Sequence, residues 1–261
     1  MFKFSLILVL CIFILGCSSE PVIVVSFDLE FPVGIGFPED FSESQKIKPN
    51  EIEWEKTVNR INEIGIKNNL KFQFNVVGIT AENYPKLIQN ISNNHDISCH
   101  SHSHKNLAEL PTDKAFIELK RCKTALERIT GKEINGNRFP YTQYNEELFK
   151  YLKELGYKWD SSEWVEREML IPSFRSGLTE YPLAPIPDDW TYFIKDQNKD
   201  ASSYFLLIEQ EIAKTPKDSV FVVVLHPWVL ATNESRIDAL EKFILKHKNN
   251  IKSIDQIHQK L

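Results

Sequence analysis

Val22-Ile23-Val24-Val25-Ser26-Phe27-Asp28-Leu29-Glu30 is an apolar run that ends in acids. A strand that is apolar at consecutive positions is buried on both faces, as in a parallel sheet covered by helices. Glu51 to Asn69 follows with Ile52, Trp54, Val58, Ile61 and Ile64 close to helical period, and Leu70 to Val76 then alternates with period two. Helices are predicted over Ala81 to Asn93, Asp113 to Ile129, Tyr144 to Leu155, Ser202 to Ala213 and Asn233 to Lys248, with strands at Tyr157 to Trp159 and Val220 to Leu225. Strands alternating with helices imply βα units and one α/β domain around a parallel sheet.

The acids acquire a chemical context from His100-Ser101-His102-Ser103-His104. His100 and His104 stand at i and i+4, which on a helical turn places both imidazoles on one face, while His102 falls out of phase. Two neutral imidazoles, a carboxylate and open positions make a catalytic divalent-metal site. Side chains at i and i+2 of a strand share a side, so Asp28 and Glu30 both face one rim. One would bind metal and the other would take a proton from water. The donor set fits Zn²⁺, with Co²⁺, Ni²⁺ or Mn²⁺ also compatible. Ser101 and Ser103 are expected to tie down the loop that carries the histidines.

Arg138-Phe139-Pro140-Tyr141, Asp160-Ser161-Ser162-Glu163-Trp164 and Leu225-His226-Pro227 complete an ordered set of five motifs spanning roughly residues 21 to 230. This set resembles the polysaccharide deacetylases (NodB homology, carbohydrate esterase family four). Its first motif, Ser-Phe-Asp-Leu-Glu, is similar to a D-x-[DE] branch that includes peptidoglycan deacetylases and cyclic-amide hydrolases. Gly177 to Pro182 and Asp188-Asp189-Trp190 resemble the same branch. The resemblance implies an irregular (β/α)7 barrel, with the motif residues gathered at the strand C-termini where α/β barrels form active sites.

It further implies Asp28 as base and Glu30 as metal ligand with His100 and His104, although the spacing alone leaves those two acids interchangeable. Arg138 would keep Asp28 ionised. Tyr141 would offer its backbone N–H to the oxyanion. His226 would protonate the leaving group, with Asp160 on its other ring nitrogen. Trp164 and Leu225 would line the acetyl pocket. The long stretches Phe31 to Pro49 and Arg167 to Pro187 are expected to wall a substrate groove. His95, His247 and His258 lack such context and are read as surface residues.

With 261 residues, 42% hydrophobic, the chain can bury one sizeable core. A net charge of -5 without basic blocks argues against a nucleic-acid partner. Phe4 to Leu15 suits a signal-peptide core, and Ile14-Leu15-Gly16-Cys17 resembles a lipobox. The expectation is a lipoprotein signal over residues 1–16, a deacetylase-like domain over 17–261, and a membrane anchor on Cys17 outside the cytoplasm. Cys99 and Cys122 then remain, with a small buried residue favoured over a metal ligand for Cys99 and a disulfide between the two left open. The substrate implied is an acetylated envelope or extracellular polysaccharide. Hydrolysis of a cyclic amide and a non-catalytic carbohydrate-binding lipoprotein stand as alternatives. Nothing in the sequence fixes oligomeric state.

Overall fold

The computed structural model of the protein describes residues 20–31, 51–197 and 200–260. The strands are β1 (Val22–Leu29), β2 (Gln73–Val76), β3 (Asp96–Cys99), β4 (Gly136–Asn137), β5 (Trp159–Asp160), β6 (Ser173–Arg175), β7 (Leu178–Glu180) and β8 (Val220–Leu225). They form one sheet in the order β6-β7-β5-β4-β3-β2-β1-β8. Every pairing is parallel except that of β6 with β7. Seven parallel strands thus make the curled wall, and β6 is an antiparallel addition at its edge. Leu183 bridges both Trp164 and Val222, bringing the β7 side round to β8. This is an irregular (β/α) barrel.

Parity along β1 decides what goes where. Ile23, Val25, Phe27 and Leu29 pack outward with Trp54, Val58 and Ile61 of α1 (Glu51–Asn68). Val24 points into the barrel, where it meets Trp159, Tyr181, Leu183, Val222 and Ile254. Side chains alternate across a strand, so Ser26 and Asp28 share the inward side of Val24, and Glu30 continues the phase. Burying an outward Leu or Phe of this kind contributes roughly 1.5–3 kcal/mol, which leaves little freedom to slip the register.

The outer layer contains α2 (Gly78–Asn83), α3 (Pro85–Asn94), α4 (Thr112–Thr130), α5 (Glu146–Glu154), α6 (Ala201–Lys214), α7 (Pro227–Leu230) and α8 (Glu234–His247). The helix expected over Ala81 to Asn93 is two helices. Pro85 opens α3 and lacks the N–H that a continuous helix needs, and Tyr84 breaks the run at φ -124°, ψ 52°. A last short helix, α9 (Ile254–His258), sends Ile254 into the strand-start end of the barrel.

Cys99, at the end of β3, is disulfide-bonded to Cys122 of α4, with Cα atoms 6.1 Å apart. Cys99 is buried, as expected, and the pairing that the sequence left open is formed. His95 and His247 are buried rather than on the surface. His95 Nδ1 accepts the Phe72 N–H at 3.1 Å, and burial lowers its imidazole to about 4. Phe31 ends the first described segment, so the wall expected over Phe31 to Pro49 lies almost wholly outside the described residues, as does Cys17.

Candidate metal centre and acid–base site

Glu30, His100 and His104 are buried side by side, each offering one ligand atom within 4.8 Å of the others. The histidines do not sit on a helix. They follow β3 on a turn in which Ser101 (φ 56°) and His104 (φ 56°) adopt left-handed backbone conformations. Their rings come together, centroids 5.0 Å apart, by this sharp turn instead of by helical pitch. Non-glycine residues adopt that conformation only where surrounding bonds enforce it. Ser101 Oγ accepts the His104 N–H at 2.9 Å, and Ser103 donates its N–H and hydroxyl to Glu118 at 2.8 and 2.9 Å. His102 points away, its Nε2 3.8 Å from Glu82.

The three donors fit a divalent cation because the far side of two of them is already tied. His100 Nδ1–H donates to the Arg138 carbonyl at 2.8 Å, which leaves Nε2 unprotonated toward the site. Burial lowers the His100 imidazole to about 4, so it is neutral, as ligation requires. Glu30 Oε1 accepts the Trp228 indole N–H at 2.9 Å, and its Oε2 lies 2.5 Å from His104 Nε2. Burial opposes ionisation of Glu30, but the His104 ring beside it prevails and lowers the carboxyl to about 2. A carboxylate and two imidazoles converging in a buried pocket form a set suited to zinc or a similar ion.

Asp28 faces the same space but is held differently. Its Oδ1 accepts Asn75 Nδ2 at 2.6 Å and Arg138 Nη1 at 2.9 Å, while Oδ2 lies 3.8 Å from His100 Nε2. Burial raises such a carboxyl, yet the Arg138 guanidinium overcomes it and holds Asp28 below the usual value. Asn75 is itself fixed by Ser98, whose hydroxyl donates to its Oδ1 at 2.5 Å. Arg138 is fully buried and spends its other donors on Ser26 Oγ, the Ser161 carbonyl and Ser161 Oγ at 2.7 to 3.0 Å.

Opposite these groups stands His226, which directly follows β8 and opens α7. Its Nδ1–H donates to Asp189 Oδ1 at 2.7 Å, and its backbone N–H donates to Asp189 Oδ2 at 2.9 Å. Burial lowers an imidazole, but the Asp189 carboxylate outweighs that and raises His226 to about 10. Asp160, expected in this role, is elsewhere. It ends β5 between β4 and β7, its Oδ2 accepting Asn137 Nδ2 at 2.7 Å. Buried beside Glu180, Asp160 is pushed well above the usual carboxyl range and keeps its proton. The serines after it carry the motif's work: Ser161 holds Arg138, and Ser162 Oγ accepts the Phe139 N–H at 2.9 Å at the head of the turn bearing Tyr141.

One cavity of about 390 Å³ unites Asp28, Glu30, His100, His104, Tyr141 and His226. Trp164 lines it as expected, with its indole N–H on Thr142 Oγ1 at 2.9 Å. Leu225 does not. It packs outward with Phe221 and Val223, and Val224, in phase with His226, takes its place on the cavity wall. Tyr141 sits in a left-handed conformation (φ 58°), and its hydroxyl donates to the His104 carbonyl at 3.2 Å. Ile186 and Pro187, within the expected wall from Arg167 to Pro187, border the cavity. Asp189, Asn75, Val224 and Trp228 were not foreseen. Among these, only Asp189 lies in a stretch, Asp188-Asp189-Trp190, that the sequence marks by resemblance.

Residues 50–159 match the sequence model of a family described as polysaccharide deacetylase. That span includes His100, His104, Arg138 and Tyr141, whereas Asp28, Glu30, Asp189 and His226 join them through the fold. A peptidoglycan-N-acetylglucosamine deacetylase of Bacillus cereus is 29% identical over 104 residues, which are 38% of this chain and 38% of that protein. The chain thus matches well under half the length of this curated relative. A candidate polysaccharide deacetylase from Mycobacterium smegmatis superposes with a TM-score of 0.73 at 22% identity, covering 94% of this chain and 92% of that one. A CE4 family pseudoenzyme from Bacillus anthracis superposes with a TM-score of 0.60 at 14% identity, covering 91% and 65%. The fold is accordingly of the NodB type, and the sequence matches support a polysaccharide deacetylase domain. The pseudoenzyme shows that this fold alone does not carry activity.

Proposed function

We propose that this protein is a metal-dependent deacetylase that hydrolyses N-acetyl groups on an envelope or extracellular polysaccharide. The observation that carries the reading is the arrangement around one cavity: a buried Glu30-His100-His104 donor set with an ionised Asp28 on one side and a charged His226 on the other. A divalent cation bound by the three donors would acidify a water and polarise the acetyl carbonyl. Asp28, kept ionised by Arg138, takes the proton from the attacking water. Tyr141 presents its backbone N–H to the developing oxyanion. His226, kept protonated and aimed by Asp189, gives its proton to the departing amine, which cannot leave as an anion. Trp164 and Val224 border the acetyl group. O-acetyl groups would place less demand on His226, because an alkoxide leaves more readily.

We infer from the sequence of residues 1–17 that the domain is exported and tethered to a membrane by lipid on Cys17. No helix among the described residues is long and apolar enough to cross a membrane. The test is acetate release from peptidoglycan, chitooligosaccharide and acetylated exopolysaccharide, with and without added Zn²⁺ or Co²⁺. Metal-dependent release from at least one of them is expected. Glycan binding with no acetate from any substrate would transfer the protein to the non-catalytic reading. Hydrolysis confined to small cyclic amides would favour that alternative.

A further inference from the structure

The end of the barrel opposite the cavity has a surface of its own. The first described residue, Glu20, is fastened there: its carboxylate accepts His247 Nδ1 at 2.9 Å and Asn250 Nδ2 at 2.7 Å. Immediately afterwards Ile23 pairs with Ile251, donating to the Asn250 carbonyl at 2.9 Å and accepting the Lys252 N–H at 3.0 Å. The point where the chain enters the domain is thereby locked beside Lys252. Only three peptide steps separate Cys17 from Glu20, a reach of about 10–11 Å when fully extended.

Basic side chains collect on this end. Lys217 precedes β8, Lys158 precedes β5, Lys248 follows α8, and Lys252 and Lys260 flank α9. None of the five makes an ion pair among the described residues, whereas Lys71 at the same end is paired with Asp96 at 3.1 Å. Lys252 is lowered by burial and by the Lys260 ammonium against it, so two positive groups are crowded together there. Asp218 beside Lys217, Glu133 ahead of β4 and Asp255 in α9 lie at the same end, but these lysines outnumber them, a balance at odds with a chain of net charge -5 that calls for an anionic partner. The cavity lies at the other end of β1, eight residues away, or about 26 Å at strand rise.

We propose that the strand-start end of the barrel, with Lys158, Lys217, Lys248, Lys252 and Lys260, rests on anionic phospholipid headgroups and turns the cavity away from the bilayer. The inference rests on lipidation of Cys17 and does not depend on which acetylated glycan is hydrolysed. Lipid holds the domain at the surface, and the lysines select which side faces it. The substrate is then a polymer lying outward of the membrane, beyond the barrel, and not a saccharide carried on a membrane lipid.

The full chain, purified in mild detergent and reconstituted in phosphatidylglycerol vesicles, would be acetylated briefly with an amine-reactive reagent and mapped by mass spectrometry. Lys158, Lys252 and Lys260 are expected to react at least about fivefold more slowly on vesicles than in detergent, while Lys105, next to the His104 turn, keeps its rate. The Lys252→Gln/Lys260→Gln variant should lose most of the protection at Lys158 while remaining vesicle-bound. Unprotected lysines, protection of Lys105 instead, protection unchanged in the variant, or an N-terminal peptide without acyl chains on Cys17 would each overturn the proposal. Acetate release from soluble chitooligosaccharide by the same preparation tests the deacetylase reading separately.

Discussion

Asp189 grips His226 twice, accepting the ring Nδ1–H at 2.7 Å and the backbone N–H at 2.9 Å. The second bond fixes the main chain that carries the ring, so Asp189 sets both the charge and the aim of the imidazole. Asp189→Asn is expected to lower kcat/KM on an N-acetyl sugar by roughly 10²-fold. An activated acetate ester, which needs no proton on its leaving group, should suffer far less, and metal content should not change. Equal losses on amide and ester would remove His226 from the acid role.

The same pair makes a pH prediction. His226 is raised from 6.5 to about 10 in the folded protein. Its contribution to stability is complete below pH 6.5 and is lost as pH rises through about 10. Chelator-treated wild-type protein should therefore show a melting temperature that falls between pH 7 and 10. The fall should be shallower in Asp189→Asn, where the imidazole has no carboxylate to lose. Parallel curves for the two proteins would show that the pair is not linked to folding.

Metal binding separates the acids and the histidines. His104→Ala and Glu30→Gln should weaken binding of Zn²⁺ measured by calorimetry and erase the rise in Tm that Zn²⁺ produces. Asp28→Asn should keep the metal and lose most turnover, and His102→Ala should leave both nearly intact. A Zn²⁺-binding defect in Asp28→Asn with normal binding in Glu30→Gln would exchange the two roles.

Asp160 gives the opposite expectation from Asp189. Held well above the usual carboxyl range by burial and by Glu180, it already carries a proton. An amide there can still accept from Asn137 and donate to Glu180. Asp160→Asn should retain amide hydrolysis and melt at or above the wild-type temperature. The advantage should grow as pH rises, since a raised carboxyl pKa costs stability in that direction. Loss of amide hydrolysis with esterase activity preserved would restore Asp160 to the acid arm.

The Cys99–Cys122 link joins the strand just before His100 to α4. A loop of 23 residues closed by a disulfide is worth on the order of 3 kcal/mol. Cys122→Ser should lower stability by about that amount in denaturant melts. It should also weaken Zn²⁺ affinity, because Cys99 anchors the turn that brings the two rings together. Unchanged stability would mean that the bond is not formed in the protein.

The sheet and most of the candidate metal site are legible because each rests on a local pattern. The parity of Val22 to Glu30 put Asp28 and Glu30 on one side, and the structure keeps them there. His100 and His104 converge as expected, though by left-handed residues that no spacing rule reports. Asp160 was misplaced because an acid at a strand end reads the same whatever stands across from it. Only the strand order, with β5 between β4 and β7, removes it from His226. Strand parity excludes Leu225 from the cavity: with His226 facing inward, period two places Val224 beside it. Asp189 had no local signal beyond its company with Asp188 and Trp190, since its partner is 37 residues away. His95 and His247 were misread because a histidine in a polar stretch carries no mark of burial.

Leu183 gives the barrel a seam. β8 is knitted to β1 through six paired residues, whereas among the described residues its other flank is held by the Leu183–Val222 bridge and by the Val220 N–H on the Leu170 carbonyl at 2.8 Å. That flank has no continuous strand ladder among the described residues. His226 lies on one lip, and Asp189 belongs to the segment that runs on from Leu183 along the other. Their clasp is the next stitch above the bridge. A gap there would strip the imidazole of its counter-ion while leaving it within the field of Glu30, so in the proposed reaction the proton on His226 would depend on this wall being shut.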